Sequence, residues 1–183
     1  PRQFYERCDD LGVLVWQEMM FACAEYPVDL NFLASVSEEV HFQVSRLARH
    51  PSIVLWSGNN ENDIYASISD KHNAMYMLMY DETVLPAIAR VDTTRPIWPS
   101  SPSAGFITGT DECGRPNGQP FAEWDVSSNV SSHGGSDAHY YNYSSCPDVA
   151  AYPRTQFASE YGFQSLPWPE NLEPVANLSL GDF

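Results

Sequence analysis

Residues 51–62 read PSIVLWSGNNEN, and this stretch turns abruptly from apolar to polar. His50-Pro51 stops whatever helix precedes it, because a residue before proline is pushed out of the helical region. Ile53 to Trp56 then form a short apolar run of strand character. The run ends in Gly58, Asn59, Asn60 and Glu61. A buried strand gains little stability from such an ending. It does place a carboxylate between amide side chains at the strand's C-terminal tip, where a ligand can meet it.

The order of the neighbouring segments gives the tip its setting. Before it, RQFYERCDDLG reads as a helix, and Leu11-Gly-Val-Leu-Val-Trp-Gln-Glu18 as a short strand ending in Gln17 and Glu18. Leu33, Val36, Val40, Val44 and Leu47 recur at three- and four-residue steps, one face of a helix. A second stripe runs through Met77, Tyr80, Val84, Ile88 and Val91, with Pro86 inside it. Proline removes one backbone bond there, which predicts a kink near Glu82. Met75, Met77 and Met79 read as core filling. Arg95–Pro102 reads as a third strand breaking into a loop, and 138–143 and 155–160 as two more strands. No internal repeat is visible.

Strand, helix, strand, helix, strand is the pattern of a parallel sheet covered by helices. Polar residues gather at the strand C-termini: Gln17-Glu18, Asn59-Asn60-Glu61, Ser100-Ser101, Tyr143 and Ser159-Glu160. That edge carries the catalytic groups of a (β/α)8 barrel, and ligands bind there in a doubly wound sheet too. The open sheet more often brings a glycine-rich phosphate loop, and neither G-x-G-x-x-G nor G-x-x-x-x-G-K-[ST] occurs. From about 100 to 137 the chain is rich in Gly, Ser, Pro, Asn and Asp, with Phe121 and Trp124 in the middle. Long loops of this kind are expected to be functional when ordered.

Composition narrows the function classes. The 183 residues carry 24 acidic against 9 basic side chains, a formal net charge of -15. Such a surface repels polyphosphate and anionic lipid, so neither nucleic acid nor a membrane is an expected partner. No apolar run approaches the roughly 20 residues of a bilayer-spanning helix. The start at Pro1 inside a helix leads us to expect a section of a longer enzyme. The cysteines, Cys8, Cys23, Cys113 and Cys146, lack metal-ligand spacing. Cys8 and Cys23 are expected to be buried thiols, whereas Cys113 and Cys146 lie in polar loops. Sequons at Asn129, Asn142 and Asn177 favour a secretory route, to a secreted or lysosomal/vacuolar location.

Glu61 and Glu160 each end a predicted strand, so one barrel would point both into one cleft. Two carboxylates facing a glycosidic bond suffice for hydrolysis, one as acid and the other as nucleophile or base. The competing reading makes them strand-end carboxylates that cap helices or pair with arginines. Other chemistries lack their residues: G-x-S-x-G and H-E-x-x-H are absent. His50, His72 and His133 are placed in turns or loops, and His41 near the first helical stripe as a structural residue.

VWQEMMFACAEYP, HPSIVLWSGNNEN, DAHYYNY and FASEYGFQS resemble the barrel domain of β-mannosidases of glycoside hydrolase family two, in order and along nearly the whole chain. The resemblance implies an incomplete (β/α)8 TIM barrel over 1–183, roughly strands three to seven of the barrel, with an active-face loop at about 100–137. It implies a retaining exo-β-mannosidase acting on terminal β-D-mannose of oligosaccharides, without cofactor or metal, completed by the remaining domains of the same enzyme. Glu61 matches the acid/base and Glu160 the nucleophile. Asn60 matches the partner of the sugar 2-hydroxyl, and Trp124 a loop Trp that either lines the pocket or anchors the loop. His139 and Tyr141 lie on the substrate side, where Tyr143 competes with Tyr141 for the family's tyrosine. Glu18 either bonds sugar hydroxyls or orients its neighbours. Two features depart from the family: no Trp lies between Glu61 and Trp98, and Asn142 is a sequon on an active-face strand, which is expected to stay unmodified. A β-galactosidase-like relative and a non-catalytic carbohydrate-binding relative are the alternatives.

Overall fold

The first helix, α1 (Arg2–Leu11), ends where Gly12 takes φ 68°, a left-handed conformation that glycine adopts without strain. Its buried face presents Tyr5 and Cys8 to the first strand, β1 (Val15–Glu18). A computed structural model describes residues 1–102, 137–141 and 157–162. After β1 comes α2 (Leu30–Leu47), whose N-terminus is capped by Asp29 Oδ1 accepting from the amides of Asn31 and Phe32. The stripe expected from the sequence is its buried face: Val36, Val40, Val44 and Leu47.

Strand β2 (Ile53–Ser57) follows, then α3 (Asp63–Ala66), α4 (Asp70–Tyr76), a π-helical segment (Met77–Val84) and α5 (Leu85–Val91). The proline in the second stripe therefore acts differently from a simple kink. Pro86 sits in the first turn of α5, where a missing amide is tolerated. The preceding turns widen to the π register, the Leu85 amide donating to the Tyr80 carbonyl. His72 lies in α4, not in a turn as expected: Ser69 caps this helix, extending the helical run over it. Met79 is buried and Met77 packs against the core, as the stripe implied.

The strands β1, β2 and β3 (Ile97–Trp98) pair in parallel in that order, and β4 (Asp137–Tyr141) pairs in parallel with β5 (Phe157–Gly162). Side chains join the two groups beyond the end of β3, where Ser101 Oγ donates to Asp137 Oδ2 at 3.0 Å. The Trp16 ring of β1 stacks on Phe157 of β5, with centroids 5.5 Å apart and planes 15° from parallel. Across a flat sheet the first and fifth strands would stand about 19 Å apart. Contact between their side chains requires the strands to curl round a common interior, the geometry of a barrel wall and not of an open sheet.

Helices α2 and α5 cover the outside of this wall. Between them lies a dry core that includes Ile53, Trp56 and Ile97 from the strands and Val40, Val44, Val84, Leu85 and Ile88 from the helices. At the N-terminal end of the strands the acidic groups are each paired with donors. Asp92 accepts from Trp56 Nε1 at 2.9 Å and from Thr94, and pairs with Arg95, which also donates to the carbonyls of His50 and Ile53. Burial alone would raise the Asp92 carboxyl, but the hydrogen bonds from Thr94, Trp56 and Arg95 outweigh it and hold the group at about 2. Asp9 likewise accepts from the Ser52 amide and bonds His50 Nδ1 at 2.6 Å.

Candidate active site

The tip of β2 is built by alternation. Gly58 passes so close to β3 that a Cβ there would stand 2.5 Å from the Pro99 carbonyl oxygen and 2.9 Å from Leu85. Only glycine fits this crossing. Asn59 then points inward and is saturated. Its amide donates to the Pro99 carbonyl and Tyr76 Oη, and its Oδ1 accepts from the Asn62 amide and Ser100 Oγ. Asn62 also points inward, donating to Tyr80 Oη at 2.7 Å and accepting from the Ala24 amide at 2.9 Å. The residues between them, Asn60 and Glu61, face the cleft. The two inward asparagines fix the turn, so the intervening pair is presented without freedom to wander.

Backbone bonds hold the same turn from both sides. The Asn60 amide donates to the Phe21 carbonyl, and the Cys23 amide donates to the Asn60 carbonyl. On the other flank, Ser101 donates to Asn59 and the Glu61 amide to Ser101. Glu61 takes φ 58° and Cys23 φ 47°, both in the left-handed region that side chains seldom occupy. Such strain persists only where the surroundings over-determine it, and it gathers at functional sites.

The second carboxylate arrives on β5. Residues Ser159 and Glu160 are positioned by Asp137, whose Oδ1 accepts from the Ser159 amide and hydroxyl while its Oδ2 accepts from Ser101. His139 of β4 lies between the two glutamates: its Nδ1 is 2.7 Å from Glu61 Oε1 and 3.7 Å from Glu160 Oε2. The other ring nitrogen, Nε2, lies 3.0 Å from Ser101 Oγ. Tyr141 Oη donates to Glu160 Oε2 at 2.6 Å. One atom each of Glu61, His139 and Glu160 lies within 4.8 Å of the others, close enough for a bound cation to bridge them or for both carboxyl groups to reach one carbon.

An open cleft extends from Glu160 past Trp16, Glu18, Ser101 and Phe157. Glu18 ends β1, and its carboxyl is raised, first by burial and then by the charge of Glu160. The Asn60 Oδ1 atom is buried and has no hydrogen-bond partner among the described residues.

Six of the seven residues singled out from sequence are thus in or beside one cleft: Glu18, Asn60, Glu61, His139, Tyr141 and Glu160. Trp124, like Tyr143 and the three sequons, lies outside the described residues. Two details differ from the sequence reading. Glu160 is not the last residue of its strand, because β5 continues to Gly162. Cys23 is exposed and not a buried thiol, because the left-handed turn carries it out of the apolar run and onto the acid turn. Asp137 carries no expectation from the sequence, whereas Ser101 and Ser159 stand among the polar residues expected at the strand C-termini. The acid that opens the strand DAHYY is the one visible hint for Asp137, and the bonds that the two serines make to it are not readable from sequence.

Comparison with known proteins places this arrangement. Residues 2–104 match the family described as glycosyl hydrolases family 2, TIM barrel domain. The chain is 39% identical over 185 residues to the β-mannosidase of Bos taurus, covering 96% of this chain and 20% of that relative. It is 30% identical over 194 residues to β-mannosidase A of Emericella nidulans, covering 97% and 20%. Among solved structures it is similar to the β-D-mannosidase of Dictyoglomus thermophilum, with a TM-score of 0.66 at 36% identity over 95% of this chain and 20% of that one. The chain therefore spans about one fifth of the length of the relatives it matches.

Proposed function

The chain belongs to glycosyl hydrolase family 2, in its TIM barrel domain, and from that premise we propose that it carries the catalytic centre of a retaining exo-β-mannosidase. The observation that carries the reading is the approach of Glu61 and Glu160 within 4.8 Å on one cleft. Retaining enzymes hold their carboxyl groups about 5–5.5 Å apart, whereas inverting ones leave about 6.5–9.5 Å for a water. Glu160 attacks the anomeric carbon as the glycosidic bond breaks, while Glu61 gives its proton to the departing oxygen. The product is a covalent mannosyl ester on Glu160. Glu61, now anionic, takes a proton from water as that water attacks the same carbon and frees Glu160.

The surrounding groups fit these roles. Tyr141 donates to Glu160 Oε2, leaving Oε1 for the sugar. The unpartnered acceptor on Asn60 suits the 2-hydroxyl of the mannosyl unit, a bond that strengthens in the transition state. Glu18, raised by burial, suits a sugar hydroxyl at the opposite side of the cleft. Residues 1–183 form one incomplete barrel in this reading, with an active-face loop at about 100–137 and Trp124 lining the sugar pocket. The remaining domains of a longer enzyme complete the wall, and the substrate is a β-mannoside oligosaccharide met in a secreted or lysosomal/vacuolar setting. Among the described residues no helix is long and apolar enough to cross a membrane.

The test is a trapping experiment on the full-length enzyme. A 2-deoxy-2-fluoro-β-mannosyl fluoride is expected to inactivate it, with the label on the peptide containing Glu160. Labelling of another carboxylate, or faster turnover of aryl β-galactoside than of aryl β-mannoside, would overturn the assignment.

A further inference from the structure

Glu61 has two carboxyl oxygens, and each has its own hydrogen-bond partner. His139 Nδ1 holds Oε1 at 2.7 Å, and the Cys23 thiol donates to Oε2 at 3.3 Å. The thiol is held in turn, since Asn60 Nδ2 donates to Cys23 Sγ at 3.5 Å. The backbones are coupled as well, through the Cys23 amide on the Asn60 carbonyl. Cys23 and Glu61 are the only non-glycine residues with positive φ among the described residues, and they face each other across this one turn. A cysteine brought there by strained backbone, exposed and bonded to the acid, has a different role from Cys8, which fills the core beneath α1.

We propose that Cys23 is a positioning residue for the acid/base, its S–H fixing Glu61 Oε2 so that the carboxyl plane stays aimed at the leaving oxygen. The inference rests on the reading of Glu61 as acid/base. Partial loss of water around the thiol, and then the Glu61 carboxylate beside it, push it above its ordinary range, so it remains a donor at neutral pH. An S–H···O bond is weak, so the effect is one of aim and proton affinity, not of gross stability.

This role separates from packing by substrate choice. Protonation matters most for a poor leaving group and little for an activated one. In the full-length enzyme, Cys23→Ala is expected to lower kcat/KM for an alkyl β-mannoside by roughly threefold to tenfold. For a dinitrophenyl β-mannoside, kcat/KM should stay within about twofold. Removing the donor also disfavours the anion, so the alkaline limb of kcat/KM moves to higher pH. Cys23→Ser, which keeps a hydroxyl donor, restores both the rate and the limb. Equal losses on the two substrates would make Cys23 a packing residue and overturn the proposal, as would an unchanged pH profile in Cys23→Ala. Should Cys23→Ala fail to fold, Cys23→Gly supplies the same comparison without a donor, because glycine adopts the φ of 47° freely. Glu61→Ala run alongside distinguishes failure of the underlying reading: if it hydrolyses the alkyl mannoside at the normal rate and gains nothing from azide, Glu61 is not the acid.

Discussion

The two ends of the parallel strands are built on opposite terms. At the N-terminal end, Asp92 binds Trp56, Thr94 and Arg95, and Asp9 binds His50 and Ser52, so acids there meet donors and the backbone is relaxed. At the C-terminal end two carboxylates approach each other, an amide oxygen is left without a partner, and Glu61 and Cys23 take left-handed backbone angles. The first arrangement lowers the free energy of the fold. The second spends some of it to hold groups where chemistry can use them, as expected for the catalytic face of a barrel. The difference teaches that left-handed backbone and facing carboxylates separate site from framework here.

That contrast is breakable by substitution. The largest effect is expected from Glu61→Gly, which removes the acid and relieves the φ of 58°. Activity of the full-length enzyme on an alkyl β-mannoside should fall by about 10²–10⁴-fold. Its stability in a denaturant melt should hold within about 1 kcal/mol, because the relieved strain offsets the extra freedom of the unfolded glycine. Asp92→Ala is the mirror case. It leaves buried donors without their acceptor and should cost about 3 kcal/mol of stability, while kcat/KM of the folded fraction stays within about twofold. If the two variants show the same ratio of activity loss to stability loss, the division between the ends is wrong.

Gly58→Ala lies between these extremes, since its Cβ must displace the Pro99 carbonyl beneath the acid turn. A loss of about 2 kcal/mol is expected, accompanied by a measurable fall in kcat. The smallest effect concerns acid stability. The Asp92 carboxyl is held at about 2 against an ordinary 3.8, so it contributes fully above 3.8 and loses that contribution as pH falls through about 2. Melting Asp92→Asn across this range should give a shallower acid limb than the parent shows.

Much of this arrangement was legible before any coordinates. The apolar steps of α2 and the run of β2 declare themselves, because a buried face requires a fixed period. Glu61 and Glu160 stood out because a carboxylate at a strand end serves stability poorly. Pro86 predicted disturbance in the second stripe, but a widened π turn is a long-range packing solution that no local rule selects. Asp137 gives no local signal and Ser101 reads only as a polar strand-end residue, because the role of each depends on a partner from another strand. Cys23 was misjudged as buried because its apolar neighbours gave no sign of a left-handed turn. The tip of β2 answers the question its sequence poses: Asn59 and Asn62 are framework, Asn60 and Glu61 are presented.

The crossing at Gly58 has a practical corollary for anyone wishing to transplant the acid onto another scaffold. Asn59 is anchored to a carbonyl 40 positions further along the chain, and the glycine leaves space for that same carbonyl. The five letters GNNEN are therefore half of a two-part fitting. Moved without the Pro99–Ser101 segment against which it was shaped, the loop would lose its template and with it the direction of its carboxylate.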